Sequence, residues 1–116
     1  MNPNKNIFDE TLITSGFTIP GYKITKNLGI VRGITVRSRS VVGNIGASFQ
    51  ALFGGNITIL TELCEKARHE AYEIMLNHAQ SLGGNAVIAM SYDATELMQG
   101  ITEVLCYGTA VIVEKE

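Results

Sequence analysis

Leu82-Gly83-Gly84-Asn85, followed by two apolar runs at Ala86–Tyr92 and Ile101–Val113, decides how this chain folds. Paired glycines end a helix by supplying a left-handed residue that a Cβ would penalise. Upstream of that stop the pattern predicts a helix from about Ile59 to Leu82, with Thr58 as its N-cap. Its apolar stripe reads Leu60, Cys64, Ala67, Ala71, Ile74, His78 and Leu82, widened by Leu63 and Met75. Glu62, Glu65, Lys66, Glu70 and Glu73 take the other side, with Glu62–Lys66 a favourable i,i+4 pair.

Downstream, the last strand has two dissimilar faces. Val104, Cys106, Gly108, Ala110 and Ile112 form a small-residue face suited to a close helix. Ile101, Leu105, Tyr107, Val111 and Val113 form the other, and one long helix cannot cover both. A contiguous apolar patch of several hundred Å² is uncommon on a monomer. The expectation is therefore an α+β subunit, a small sheet packed on one helix, that associates with copies of itself.

Nearer the start, Thr11–Thr18 has the makings of a short strand, and Pro20-Gly21 marks a turn. Tyr22, Ile24, Leu28, Ile30, Ile34 and Val36 then alternate with polar neighbours, which reads as a strand or bent pair with one wet face. Gly29 and Gly33 lie on the polar phase, where a bulge or a close backbone approach is expected. Arg32 falls in the apolar phase; a bulge that turns it outward is the favoured account, pairing across an interface the other. Val42, Ile45, Phe49, Leu52 and Phe53 recur at helical spacing, as a lid on the core or a clamp on a neighbour. Residues 1–10 read as a flexible lead-in and residues 11–116 as one domain.

Composition agrees with a small associating subunit. The chain has 116 residues, 46% hydrophobic and 17% charged, against about 25% charged in an average domain. Two cysteines without a CxxC make no disulfide framework, and Met1–Glu10 lacks the character of a secretion signal. With no apolar run near the roughly 18 residues that span a bilayer, no membrane role and a cytoplasmic location are expected. The net charge of −2 excludes a generally basic nucleic-acid binder. Charge is nonetheless lopsided. Lys5, Lys23, Lys26, Arg32, Arg37 and Arg39 against Asp9 and Glu10 give the first fifty residues +4. Lys66, Arg68 and Lys115 against nine acids give the remainder −6. Such asymmetry pairs halves of one fold, pairs subunits, or forms an anion patch.

Several short motifs in fixed order carry a resemblance. Gly21-Tyr22-Lys23-Ile24 leads to Leu28-Gly29-Ile30-Val31-Arg32-Gly33, then come Asn44-Ile45-Gly46-Ala47 and Gly54-Gly55. Leu82 to Val87 and Thr102 to Val111 complete the set. Together they resemble the YbjQ-like family of small bacterial proteins over about Thr11 to Val113, with Gly84 standing where alanine is expected. The resemblance implies a dodecin-like β-α-β-β core, a ring-shaped homopentamer joined by extra short strands, and a heavy-metal-binding label without an established biochemical role.

The residues restrict that label. Soft metals take thiolate and imidazole, usually in sets of four. The inventory is Cys64, Cys106, His69 and His78. On a helix, Cys64 and His78 stand roughly 21 Å apart along the axis, and His69 and His78 roughly 13 Å. Cys64 and His69 point about 140° apart. These four cannot close a site within one subunit; Cys64 and Cys106 facing each other across the core would supply two ligands at most. A metal would need a site between subunits, from these residues or from a carboxylate ring of Asp93, Glu96 and Glu103. The bland alternatives are buried structural cysteines, a His69 cap on Glu65 or Glu73, and a His78 that suits the helix dipole or meets a neighbouring subunit.

Catalytic signatures are absent from the sequence. Ser38, Ser40 and Ser48 lack a nucleophile-elbow context, and Gly43-x-x-Gly46 lacks the lysine of a phosphate loop. Asp93 and Glu96 read more readily as a solvated turn than an acidic pair. The expected protein is a non-enzymatic homo-oligomer without a cofactor. Its candidate small-molecule site is a subunit cleft near Arg32, Tyr92 and Tyr107.

Overall fold

A computed structural model describes Asp9 and residues 12–38, 57–98 and 101–116, and these described residues form four elements. They are β1 (Tyr22–Ser38), α1 (Ile57–Ser81), β2 (Ala86–Met98) and β3 (Ile101–Lys115). The sheet order is β1-β3-β2, and β3 pairs antiparallel with both neighbours. Residues 1–8 and the aromatic stripe between Val42 and Phe53 lie outside the described residues.

The helix stop is the one the sequence marks. Gly83 is left-handed (φ 87°), the Gly84 N–H donates to the Ala79 carbonyl, and the Gly83 N–H donates to that of Gln80. That pair of bonds is the Schellman arrangement, which satisfies the last helical carbonyls. Asn85 then ties the stop to the sheet. Its side-chain amide donates to the Val113 carbonyl, and its Oδ1 accepts from the Val113 N–H at 2.8 Å. At the other end the helix begins at Ile57, so Thr58 lies inside it and is not the N-cap.

The buried side of α1 is narrower than expected and turned. Ala67, Ala71, Met75 and Ala79, each one turn apart, face the sheet together with Leu76. Cys64, Ile74 and Leu82 are exposed. Alanine leaves so little bulk that strand and helix backbones nearly touch. A Cβ on Gly33 would strike the Ala71 carbonyl oxygen and lie 2.5 Å from the Met75 nitrogen.

Gly33 therefore faces the helix, and so do its neighbours in phase. Val31 is fully buried and the Thr35 hydroxyl donates to the Ala67 carbonyl at 3.3 Å. Arg37 pairs with Glu70. Because strand side chains alternate, Ile30, Arg32, Ile34 and Val36 face away. The apolar phase of β1 is thus not the helix-facing one. Two register shifts, between Ile24 and Lys26 and between Asn27 and Gly29, flip the phase and flip it back. Gly29 (φ 104°) follows the second, as a bulge demands. No shift occurs at Arg32, so the bulge favoured for that residue is overturned: register runs unbroken from Gly29 to Ser38.

On β3 the small-residue face is as read. Cys106, Gly108 and Ala110 are buried, and Val104 packs against the helix-side core. The opposite face divides. Val111 and Val113 are covered by the chain itself, in a second cluster with Ile19, Ala86, Leu12, Tyr22 and Ile88. The segment before β1 folds over that end of the sheet. It is not a full strand: Ile13 makes a single parallel bridge to Val87, and Thr14 and Gly16 exchange backbone bonds with Val87, Ala89 and Met90. The expectation that this whole face lies open is corrected to its far half, around Leu105 and Tyr107.

Candidate functional site

Arg32 and Tyr107 are register partners on the open face of the sheet. Around them stand Ile30 (76% exposed), Val36 (52%), Ile34 (41%) and Tyr107 itself (38%). The patch is a guanidinium and a phenol set among aliphatic side chains. Tyr92 does not join them. It pairs with Cys106, whose side chain faces the helix, and its ring stands 6.0 Å beneath the Arg68 guanidinium. The three-residue cleft expected from sequence is therefore divided between two faces within one chain.

The metal candidates are likewise dispersed. Cys64 is exposed and Cys106 buried, so the two thiols do not face each other across the core. His69 sits 3.6 Å from Glu73 one turn on, the local contact anticipated for it, with Tyr72 alongside. His78 Nδ1 accepts the Arg32 backbone N–H at 3.2 Å. That bond holds His78 inside its own chain and occupies one donor on β1, a strand with a single neighbour in the sheet among the described residues. Asp93 and Glu103 share the open face with Leu105, whereas Glu96, paired with Thr102, lies on the other. Among the described residues no three histidine, cysteine or acidic side chains come together as a metal site.

What the sequence reading missed is a thioether. Met75, counted there only as core, lies against Cys106, whose thiol donates to its Sδ at 3.6 Å. Burial pushes the Cys106 thiol up to about 11, with a hydrogen bond from Tyr92 opposing it. Tyr92 is raised in turn, first by burial and then by Cys106. The helical spacing of Met75 and the inward phase of Cys106 were both in the sequence; only their apposition was not.

The chain matches a family model described as "Putative heavy-metal-binding" over residues 11–114. It is 62% identical over 103 residues to the UPF0145 proteins of Burkholderia mallei strain SAVP1 and Burkholderia pseudomallei strain K96243. Those alignments cover 89% of this chain and 93% of each relative. A crystal structure of a protein with unknown function from Pediococcus pentosaceus, of the DUF74 family, matches with a TM-score of 0.58. At 17% identity, over 88% of this chain and 96% of that one, it speaks for the fold alone.

Proposed function

This chain belongs to the YbjQ-like family described as "Putative heavy-metal-binding", and on that premise we propose that it works as a homo-oligomeric binding subunit. The observation that carries the reading is the open sheet face around Arg32 and Tyr107, where Ile30, Ile34 and Val36 stand in water. Covering those three would supply roughly 1–2 kcal/mol each. Five copies in a dodecin-like ring is the arrangement the resemblance implies. Among the described residues, the outer edge of β1, apart from the donor that His78 takes, and the exposed end of β2 give such a ring strands to join.

Within the assembly, Arg32 and Tyr107 offer an anionic or aromatic small molecule a cation, a hydroxyl and a ring. Tyr92 would reach such a ligand only from a neighbouring copy. The cytoplasm suits the two free cysteines, since thiols persist in a reducing compartment. Native mass spectrometry of the purified protein tests the reading. An assembly that carries a co-purifying small molecule, lost on Arg32→Ala with subunit number retained, is expected.

A second reading is metal binding, as the family's description has it, and the apposed sulfurs of Cys106 and Met75 favour it. Calorimetric titration with zinc, nickel, copper(I) and silver(I) tests it; absence of binding by all four removes it.

A further inference from the structure

The two sulfur atoms in the core make a donor pair of a kind that the histidine, cysteine and carboxylate inventory overlooks. Cys106 on β3 and Met75 on α1 are both fully buried, and the thiol is already aimed at the thioether. We propose that Cys106 Sγ and Met75 Sδ form an intramolecular two-coordinate site for a soft monovalent cation of the copper(I) or silver(I) class. The proposal rests on the metal-binding reading above and gives it residues and a selectivity.

Ligand chemistry comes first. Thiolate and thioether are soft donors that favour copper(I)-like ions, and zinc, over hard ones. Zinc would demand two further ligands; the surrounding Val31, Ala71, Val87 and Ala110 supply none and the Tyr92 phenol at most one.

Charge decides the valence. An uncompensated charge in an apolar core is strongly unfavourable. One thiolate with one monovalent cation is neutral, so the core holds no more charge after binding than before. A divalent ion on the same pair would leave one positive charge among aliphatic side chains.

The exchange balances without an oxidant or reductant. The S–H bond of Cys106 breaks, its electron pair forms the sulfur–metal bond, and the proton leaves to solvent. Met75 contributes a lone pair and changes nothing else. Because an ordinary thiol carries its proton at neutral pH and binds metal as the thiolate, each ion bound releases one proton.

Geometry asks for a small adjustment. With sulfur–metal bonds of roughly 2.3 Å, as for zinc, a linear site needs the sulfurs roughly 4.6 Å apart. They stand at 3.6 Å, so binding requires the flexible Met75 side chain to repack and draw Sδ back by that difference. Tyr92, beside Cys106 and 39% exposed, touches both the thiol and solvent and marks the way in.

Silver(I) in chloride-free buffer is the probe, followed by native mass spectrometry, calorimetry and proton release. Cys64→Ser, which removes the exposed thiol, is expected to bind one ion per subunit and release one proton. Met75→Leu conserves volume and should stay folded by circular dichroism. It is expected to bind silver at least tenfold more weakly in the Cys64→Ser background, and Cys106→Ser in that background to bind none. Unchanged affinity in Met75→Leu overturns the proposal even if Cys106→Ser fails to fold. So does silver binding that disappears with Cys64→Ser alone, an outcome that leaves metal binding by the exposed thiol intact. If copper(I), zinc and nickel also fail to bind the unmodified protein, the metal reading itself falls.

Discussion

Gly33 lies so close beneath Ala71 that the strand and helix backbones meet with no side chain between them. This contact sets the depth of α1 on the sheet and thereby brings Met75 onto Cys106. Gly33→Ala is expected to lower stability by about 3 kcal/mol or more, because overpacking against backbone cannot be relieved by a rotamer change. Gly84→Ala is the comparison: its Cβ would stand 3.3 Å from the Ala79 and Val111 oxygens, a cost within about 1 kcal/mol. Urea denaturation of the two variants checks the contrast, and equal midpoints would remove the close approach.

Thiol chemistry should distinguish the two cysteines. Cys64 is exposed and Cys106 fully buried, so an aromatic disulfide reagent is expected to titrate one thiol quickly in the native protein. The second reacts only when the chain unfolds, and Cys64→Ser abolishes the fast phase. Two fast thiols would place Cys106 outside the core.

Alkaline pH should weaken the fold. The folded chain holds the Cys106 proton to about pH 11, against 9.0 in an open chain, so it binds more protons than the unfolded chain between those values. Stability is therefore whole below pH 9 and declines as pH rises towards 11. Tyr92, also raised, acts with the same sign above pH 10. Denaturation midpoints measured from pH 8 to 11 should fall steadily, and Cys106→Ala should flatten that fall.

By contrast, the Arg37–Glu70 pair should count for little. Both side chains are more than a third exposed, and pairs so placed contribute about 0.2–1 kcal/mol. Arg37→Ala is expected to change the unfolding free energy by less than about 1 kcal/mol, with the effect shrinking further in molar salt.

How much of this was legible in the sequence depends on which signal each element used. The helix stop at Leu82–Asn85 was legible because Schellman geometry has a local residue requirement. The small face of β3 was legible because period two survives in an unbulged strand. β1 misled because its helix-facing phase holds Gly33 and Thr35, chosen for closeness rather than apolarity. The aliphatic residues Ile30, Ile34 and Val36 occupy the open face instead. The cover on Val111 and Val113 was missed because Leu12 and Ile19 act through one bridge and packing, with no periodicity to announce them. For the candidate site, helix geometry alone excluded a four-ligand centre, whereas the division of Tyr92 from Arg32 and Tyr107 depended on strand register. The Cys106–Met75 pair needed tertiary contact, which no spacing encodes.

Association should depend on the open face. Ile30→Lys with Ile34→Lys changes two side chains that a single chain leaves in water, so each subunit should fold as before. The double variant is expected to sediment as a single subunit with an unaltered circular dichroism spectrum. A double variant that sediments as the unmodified protein does would show that this face is not where copies meet.

Sedimentation velocity of the unmodified protein at micromolar concentration tests the account most directly. We predict one boundary at several times the 12.6 kDa subunit mass, near five copies. A single boundary at the subunit mass would contradict it.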